Sequence, residues 1–276
     1  MAHRVSIRQE SPDSVSRRLR LWLSRAVGTR LQKSQRTYFV TLNGHRYKRL
    51  VEPDTNVAES IEAALLAFGA TDRLPAFVTR YEHEVWVEFI EGRVPREADE
   101  ALALAAAGFF AVLYTRGARE VATSDTRFPA ALARNLRFLH RMDVLDDAAY
   151  AELSRAAQAL APESVWVGFE YTDPIPKNFV VAADDGRLCA VDVESLASDE
   201  LLGVGPAKAL SRWLEPHREV FLAALAQPGV PDLRPALPFA ELYFLAHWMQ
   251  RAFMERKWHF VDSARFARFR DGASAR

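Results

Sequence analysis

The sequence predicts an α+β protein in which a small β-rich part is followed by a larger helical part. Two observations support this prediction. Short runs rich in β-branched and aromatic residues, separated by turns, fill 36–51 and 74–90. From Glu97 to near the C-terminus, apolar residues recur at helical spacing instead. A chain with its strands first and its helices afterwards is typical of α+β folds.

Length and composition limit the possible classes of protein. The chain has 276 residues, of which 49% are hydrophobic, enough for one large domain or two closely packed lobes. The single cysteine, Cys189, excludes an internal disulfide and argues against a cysteine-based metal site. The longest apolar run, Ala101 to Tyr114, is shorter than the about 20 residues that a membrane-spanning helix needs. Because no stretch reads as a signal peptide, we expect a soluble, cytoplasmic protein.

The N-terminal extension, residues 1–31, is strongly basic. Residues 1–36 hold nine Arg or Lys against two acidic residues, although the net charge of the whole chain is zero. Ser11 followed by Pro12 predicts a helix start, and the apolar stripe after it makes this helix amphipathic. We favour packing of the stripe against its own domain. The alternative is peripheral membrane contact through 12–30, and we do not expect nucleic acid as a partner.

Asn43-Gly44 divides the first β-rich stretch into a hairpin. This dipeptide between two β-rich runs is the strongest short-range signal for a two-residue turn. Lys48 lies in the second strand, where on its own it would be read as a solvated edge residue. After Asn56, a candidate cap, apolar spacing predicts a helix over 57–68.

A second hairpin and a series of helices complete the chain. The hairpin has strands over 74–81 and 85–90. Helices are predicted over 102–114, 128–141, 146–160, 207–226 and 239–258. The first of these helices is apolar on nearly every side, as expected for a buried helix of a large lobe. Aromatic residues in the last helix lie at helical spacing, which favours core packing over ligand binding.

An acid and an amide five residues apart indicate a candidate active site. Asp173 and Asn178 enclose a tight loop, after which two apolar strands flank a turn at 184–186. Asp192 follows the second strand, so the hairpin is expected to bring it beside Asn178. Two such oxygen ligands suit Mg²⁺, which takes one or two protein groups together with phosphate oxygens. Asp173 then remains to orient a nucleophile.

This stretch resembles the catalytic loop and metal-binding strand of the protein-kinase-like superfamily, and it is most similar to the aminoglycoside phosphotransferase and choline kinase branch. That branch has His-Gly-Asp-Leu-His-Pro-Gly-Asn, followed by an apolar hairpin that ends in Ile-Asp. Asp173, Pro176, Asn178 and Asp192 match the pattern. The resemblance implies an ATP- and Mg²⁺-dependent phosphotransferase that acts on a hydroxyl of a small molecule or sugar.

The same resemblance implies a two-lobed, protein-kinase-like fold. A small antiparallel β lobe is expected over 32–92 and a larger helical lobe over 93–276, with ATP between them. Five strands are expected in the small lobe. The acceptor, a small molecule or sugar, is expected at the helical lobe.

Roles for individual residues follow from the resemblance. Asp173 is expected to be catalytic, orienting the acceptor hydroxyl or accepting its proton. Asn178 and Asp192 are expected to bind the metal, with Glu194 as an outer ligand. Lys48 matches the lysine that reaches the ATP phosphates.

Two further segments are expected to bind the nucleotide or to position Lys48. The helix acid that pairs with Lys48 is expected to be Glu62, in the run Glu-Ala-Ala-Leu-Leu, with Glu59 as the alternative. The run Val-Glu-Phe-Ile-Glu-Gly at 87–92 resembles the hinge that reads the adenine edge. Four hinge residues are therefore expected to line the nucleotide slot: Glu88, Phe89, Ile90 and Glu91.

Several departures from the family pattern support a rival hypothesis. No glycine is present at 31–36, where a phosphate-covering loop would lie. Tyr171 and Thr172 replace His-Gly, and Pro174 restricts the backbone of the acid before it. The alternative function is a catalytically impaired pseudokinase that acts as a nucleotide-binding or interaction module.

Overall fold

The computed structural model describes residues 5–9, 36–69 and 71–270. The basic helix expected within 12–30 lies outside these residues, as does most of the glycine-free loop at 31–36. Clustering of contacts divides the chain into two compact units. Unit 1 comprises the described residues up to Arg93 together with Val180–Glu194, and unit 2 comprises Val94–Phe179 and the described residues from Ser195 onward. The hairpin that ends at Asp192 thus groups with the β-rich unit, although the sequence places it in the helical lobe.

The larger sheet of unit 1 is antiparallel and five-stranded, in the order β1-β2-β3-β5-β4. Its strands are β1 (Val5–Gln9), β2 (Arg36–Leu42), β3 (His45–Val51), β4 (Phe77–Tyr81) and β5 (Glu84–Glu88). The predicted turn between β2 and β3 is confirmed, because Asn43 and Gly44 both have positive φ, at 53° and 83°. The sequence did not indicate β1, which pairs with β2.

One helix, α1 (Thr55–Phe68), packs on this sheet against β4 and β5. Its cap is Asp54, not Asn56, because the Asp54 carboxylate accepts the Val57 amide at 3.1 Å. The buried face of the helix has the predicted spacing and contains Ile61, Ala64, Leu65 and Phe68 together with Ala58.

A second sheet of unit 1 has the order β10-β9-β6. Its strands are β6 (Gly92–Arg93), β9 (Phe179–Ala182) and β10 (Leu188–Ala190). A side chain at Gly92 would overlap the Val181 carbonyl, so only glycine allows β6 to pair so closely with β9. The predicted hairpin between β9 and β10 turns at Gly186, which has a φ of 74°.

Unit 2 is built mainly from helices. These are α2 (Glu100–Tyr114), α3 (Phe128–Arg141), α4 (Asp147–Leu160), α5 (Val204–Ala209), α6 (Arg218–Leu225), α7 (Leu237–Met254) and α8 (Ala267–Arg270). Its core is apolar and fully buried at Leu139, Leu153, Val165, Phe239 and Met249. No helix in the described part of the chain is long and apolar enough to cross a membrane.

A three-stranded antiparallel sheet, in the order β11-β8-β7, also belongs to unit 2. Its strands, which the sequence analysis did not predict, are β7 (Arg119–Ala122), β8 (Ser164–Tyr171) and β11 (Leu196–Leu201). The single helix predicted over 207–226 is also wrong. It is divided into α5, a π-helical turn at Leu210–Leu214, a 3₁₀ turn at Glu215–His217 and α6, because Pro216 lacks the amide that a continuous helix requires.

Candidate functional site

Residues 172–178, between β8 and β9, carry the candidate catalytic acid. Tyr171 at the end of β8 is fully buried, and its hydroxyl donates to the Asn178 carbonyl at 3.3 Å. The ring of Phe109 on α2 packs edge-on against the rings of Tyr171 and Phe179, with centroids 5.4 and 5.2 Å apart. Such aromatic pairs stabilise both ends of the loop. Tyr171, which replaces the histidine of the kinase-like pattern, therefore anchors the loop to the core.

The side chain of Asn178 folds back onto Asp173. Its Nδ2 donates to the Asp173 carbonyl oxygen at 2.9 Å and to the carboxylate Oδ2 at 3.0 Å. The same Asp173 carbonyl accepts the Ile175 amide at 2.8 Å, which tightens the turn. Among the described residues, no donor is bonded to Oδ1 of Asn178. The loop thus fixes the amide group and leaves one hard oxygen for a cation.

Asp173 also forms an ion pair that the sequence did not reveal. Lys208 of α5 places its ammonium 2.5 Å from Asp173 Oδ1 and donates to the Thr172 carbonyl at 3.1 Å. Trp213 forms a further hydrogen bond with the loop, because its Nε1 donates to the Pro174 carbonyl at 2.7 Å. The Asp173 side chain remains 34% exposed. Lys208 and Asn178 thus hold one oxygen each, and the partly exposed carboxylate retains access to a substrate proton.

A buried carboxyl group lies one residue before the anchor of this loop. Glu170 accepts the Tyr114 hydroxyl at 2.8 and 3.0 Å, the Gly203 amide at 2.8 Å and the Tyr171 amide at 2.9 Å. Burial raises the pKa of Glu170 to about 8, although Tyr114, the Gly205 amide and the other two amides lower it. Tyr114 thus binds a carboxyl group that the sequence analysis did not single out.

In unit 1, Lys48 and Asp192 lie in one neighbourhood. The Lys48 ammonium donates to the Val191 carbonyl at 2.7 Å, so it lies beside the residue that precedes Asp192. Asp192 and Glu194 share a side-chain hydrogen bond. Burial raises the pKa of Glu194 to about 8, the hydrogen bond with Asp192 raises it further, and the charge of Lys48 opposes both. The hairpin therefore brings two carboxyl groups to the predicted phosphate-binding lysine.

The predicted ion pair between Glu62 and Lys48 is not formed. Glu62 instead binds Arg80 of β4, with Nε 2.5 Å from its carboxylate, and Glu59 lies 3.5 Å from the same guanidinium. Arg80 lies on a strand that packs against α1, and its five donors can serve two carboxylates at once. The expectation for Glu62, and the alternative for Glu59, are therefore corrected: both acids bind Arg80, and the Lys48 ammonium lies near Glu194, whose pKa its charge lowers.

Part of the backbone of the predicted hinge, Glu88 to Glu91, is hydrogen-bonded to other residues of unit 1. The amides of Glu88 and Phe89 donate to neighbouring strands at 2.9 and 3.1 Å, and the Glu91 carbonyl accepts an amide at 3.0 Å. Within the described residues, neither the amide nor the carbonyl of Ile90 forms a hydrogen bond. Ile90 thus supplies the donor and acceptor that an adenine edge would need.

A cavity of about 280 Å³ lies beside the same segment. Arg46 lines this cavity, with its Cζ 3.7 Å from the centre of the Phe89 ring. A guanidinium nitrogen of Arg46 lies 2.5 Å from the Glu91 carboxylate. A guanidinium over an aromatic face is held by cation–π attraction. The cavity is lined by Gly44, His45, Arg46, Tyr47, Glu88, Phe89 and Glu91.

Comparisons with known proteins identify the fold. No protein-family profile and no curated protein matches the sequence. Solved structures do match. A thermostable mutant of aminoglycoside phosphotransferase APH(4)-Ia is 14% identical, with 99% of this chain and 96% of that chain covered at a TM-score of 0.62. Choline kinase LicA from Streptococcus pneumoniae is 13% identical, with 94% and 100% covered at a TM-score of 0.61.

A third solved structure matches with similarly low sequence identity and high coverage. Macrolide 2'-phosphotransferase MphH from Brachybacterium faecium is 16% identical, with 88% of this chain and 97% of that chain covered at a TM-score of 0.58. The resemblance to the protein-kinase-like branch is thereby confirmed at the level of the fold. The chain has the α+β fold that small-molecule phosphotransferases share.

Proposed function

We propose that this protein transfers the terminal phosphoryl group of ATP to a hydroxyl of a small molecule or sugar. One observation supports this most directly. Asn178 is fixed on Asp173 by two hydrogen bonds in a loop that is anchored at both ends. Phosphoryl transfer depends mainly on such positioning and on neutralised charge. An ordered acid beside an amide oxygen, in a phosphotransferase fold, is consistent with that requirement.

Each residue of the proposed site has one role. Asp173 accepts or orients the proton of the acceptor hydroxyl, since one carboxylate oxygen is held by Lys208 and the side chain is still exposed. Lys48 binds ATP phosphates through a mobile point charge. The backbone of Ile90, with Glu88, Phe89 and Glu91 beside it, contacts the adenine.

The donor set fits Mg²⁺. Asn178 offers an amide oxygen and Asp192 a carboxylate, and hard oxygens in small number are what this ion takes from proteins. When bound, Mg²⁺ neutralises charge on the phosphate oxygens of the nucleotide. Holding the ion is therefore the proposed role of Asn178 and Asp192, with Glu194 hydrogen-bonded to Asp192 as an outer partner.

Nucleotide complexes among the matched structures support a nucleotide as the donor, and the AMP-PNP complex is consistent with ATP. They include a GDP complex of aminoglycoside 2'-phosphotransferase-IIIa, with 13% identity and a TM-score of 0.57, and a ternary complex of APH(4)-Ia with AMP-PNP and hygromycin B, with 13% identity and a TM-score of 0.61. The acceptors of the matched proteins differ from one another, so fold alone does not fix the acceptor here.

The pseudokinase remains the second candidate, and two observations favour it. Lys208 occupies one oxygen of Asp173, and Glu62 is bound to Arg80 instead of Lys48. A protein of this kind would bind nucleotide and transfer nothing.

Asp173→Asn distinguishes the two functions. The substitution keeps the shape of the side chain but removes the base, so we expect about a thousandfold loss of ATP-dependent transfer with nucleotide binding retained. The measurements are ATP consumption with Mg²⁺ across a panel of hydroxyl acceptors, and the shift in melting temperature caused by ATP.

Asp184→Asn is the matched control, because Asp184 is an exposed acid in the turn between β9 and β10. It is expected to keep wild-type activity. If the wild type binds ATP but phosphorylates no acceptor, or if Asp173→Asn is as active as the wild type, the phosphotransferase proposal is wrong.

A further inference from the structure

Two arginines of unit 2 lie over the ring of one tryptophan. Arg212 has its Cζ 5.6 Å from the centre of the Trp248 ring and 5.1 Å from that of Phe260. Arg265 approaches the same tryptophan at 5.1 Å. Both arginines are exposed, and Trp248 is half-buried. In the part of the chain that the structure describes, neither guanidinium forms an ion pair with a carboxylate.

Arg212 is related to Asp173 through two neighbouring residues, Lys208 and Trp213. Lys208, the partner of Asp173, precedes Arg212 by about one helical turn in the segment that continues α5. Next to Arg212, Trp213 donates to the loop carbonyl of Pro174. Arg212 therefore belongs to the segment whose Lys208 and Trp213 contact the loop of the proposed catalytic acid, and Arg265 shares the Trp248 ring with it.

His247 provides a second connection. Partial burial lowers its pKa, and so do the charges of Arg251 and Lys208. His247 directly precedes Trp248 on α7, so the Lys208 ammonium acts on the same turn of helix that Arg212 covers. A neutral imidazole there can donate or accept a hydrogen bond without adding charge.

The carboxylates of the same helix, α7, and of the residues that follow it each have another partner. Glu241 binds Arg218 at 2.8 Å and Arg268 at 3.3 Å. Glu255 lies 3.0 Å from Arg251 and 2.5 Å from a lysine. Asp262 caps the following 3₁₀ turn, accepting an amide at 3.0 Å. Glu241 and Glu255 are thus neutralised by other cations, whereas Arg212 and Arg265 have no carboxylate partner among the described residues.

We infer that the acceptor of the proposed transfer is an anion, a hydroxyl compound with a phosphate or carboxylate group that binds Arg212 and Arg265. This inference rests on the proposed function. A guanidinium that stacks on a ring uses its face and keeps its N–H edge for bidentate bonds to an anion. A cationic acceptor would meet repulsion at the same place.

Binding is the first test, because it does not require turnover. The probes are glucose 6-phosphate, glucuronate, glucose and glucosamine, each added to the full chain at low ionic strength, with the melting temperature as the readout. We expect the two anions to raise the melting temperature and the neutral and cationic sugars to leave it unchanged. Salt is expected to weaken the effect of the anions.

Arg212→Gln combined with Arg265→Gln is the test variant. It is expected to remove the stabilisation by the anionic probes and, where transfer is measured, to raise their KM at least tenfold while kcat and the KM for ATP stay unchanged. Arg155→Gln is the matched control, since Arg155 is an exposed arginine on α4 of the same unit. The paired Arg→Lys variant, which keeps charge but loses the planar fork, is expected to be intermediate.

The outcomes separate this inference from the proposed function. Anion binding that the double variant loses, without transfer to any acceptor, supports the anion site and rejects the phosphotransferase. Transfer to glucose or glucosamine in preference to the anions supports the phosphotransferase and overturns the anion site. The inference is also wrong if the double variant and the wild type respond equally to the anions, or if no anionic probe stabilises the wild type.

Discussion

Lys208 determines how the Asp173 carboxylate is presented. Its ammonium binds one carboxylate oxygen and the neighbouring Thr172 carbonyl, while Asn178 binds the other oxygen. The acid is thus held from two sides, by an element that follows it in sequence and by its own loop. Lys208 is therefore a positioning residue for the proposed reaction.

Lys208→Met is expected to lower kcat about tenfold, because the acid and its loop lose a fixed point and small errors in position are costly in phosphoryl transfer. The KM for ATP should stay the same, and Lys208→Arg should recover part of the loss. Steady-state kinetics with the melting temperature as a folding check measure this. Lys177→Met, an exposed lysine in the same loop, is the control.

Two results would contradict this positioning role. One is a Lys208→Met enzyme with wild-type kcat. The other is a loss of kcat that follows the melting temperature equally in both lysine variants.

The part of the candidate site that can be predicted from the sequence is the part whose residues lie close together along the chain. Asp173 and Asn178 share one tight loop, and Asp192 follows from the next hairpin, so the local pattern carries the information. Glu62 could not be paired correctly in this way, because its partner is Arg80 on another strand. Lys208 likewise depends on how α5 packs against the end of β8, which no local pattern specifies.

At the scale of elements, α5 is defined by its contact with β8. A Cβ at Gly205 would overlap the Glu170 carboxyl group and would lie 2.6 Å from the Tyr171 carbonyl and 2.7 Å from the ring of Phe110. Two of these groups belong to the strand and one to a buried aromatic side chain, so none can move easily. The absence of a side chain at Gly205 allows the helix to approach the strand and to bring Lys208 to Asp173.

Gly205→Ala is expected to destabilise the protein by about 3 kcal/mol, as overpacking in a tight interior does. Urea unfolding followed by tryptophan fluorescence measures the change. Gly69→Ala is the comparison, because its Cβ would meet only carbonyls of its own helix, the nearest at 3.3 Å, and a change below about 1 kcal/mol is expected. Equal effects of the two substitutions would refute the packing argument.

The strands of unit 2 show what the sequence analysis missed at this scale. β8 reads Ser-Val-Trp-Val-Gly-Phe-Glu-Tyr, rich in β-branched and aromatic residues, which is a signal for a strand. β8 was therefore predictable from its own composition. β7 and β11 are different: each is short and carries charged residues, and each is a strand because β8 is available for pairing.

At the scale of the whole molecule, the fold was predictable because the order of its secondary-structure elements along the chain was predictable. Hairpins come first, a long apolar helix follows, and an acid–amide loop precedes a final hairpin. These features are all local, and the fold that they predict is shared with solved phosphotransferases of only 13 to 16% identity. The grouping of Val180–Glu194 with unit 1 was not predictable, because it depends on pairing between β9 and the distant β6.

The buried acid Glu170 makes the stability of the molecule depend on pH in a direction that can be tested. Its pKa is raised from 4.5 to about 8 in the folded state, so the folded protein keeps a proton that the unfolded chain has lost. Its contribution to stability is therefore full below pH 4.5 and decreases as pH rises towards 8, by at most about 1.4 kcal/mol per pH unit. Glu194, with its pKa also raised to about 8, acts in the same direction.

Glu170→Gln isolates this effect from every other titrating group. The free energy of unfolding of wild type minus variant, measured in urea between pH 5 and pH 9, is expected to fall with rising pH and to level off above about pH 8. A difference that stays constant over this range would mean that the Tyr114 hydroxyl and the surrounding amides keep Glu170 ionised in the folded protein. Tyr114→Phe is a second variant: it removes one of the donors that lower the Glu170 pKa, so the fall should extend to higher pH.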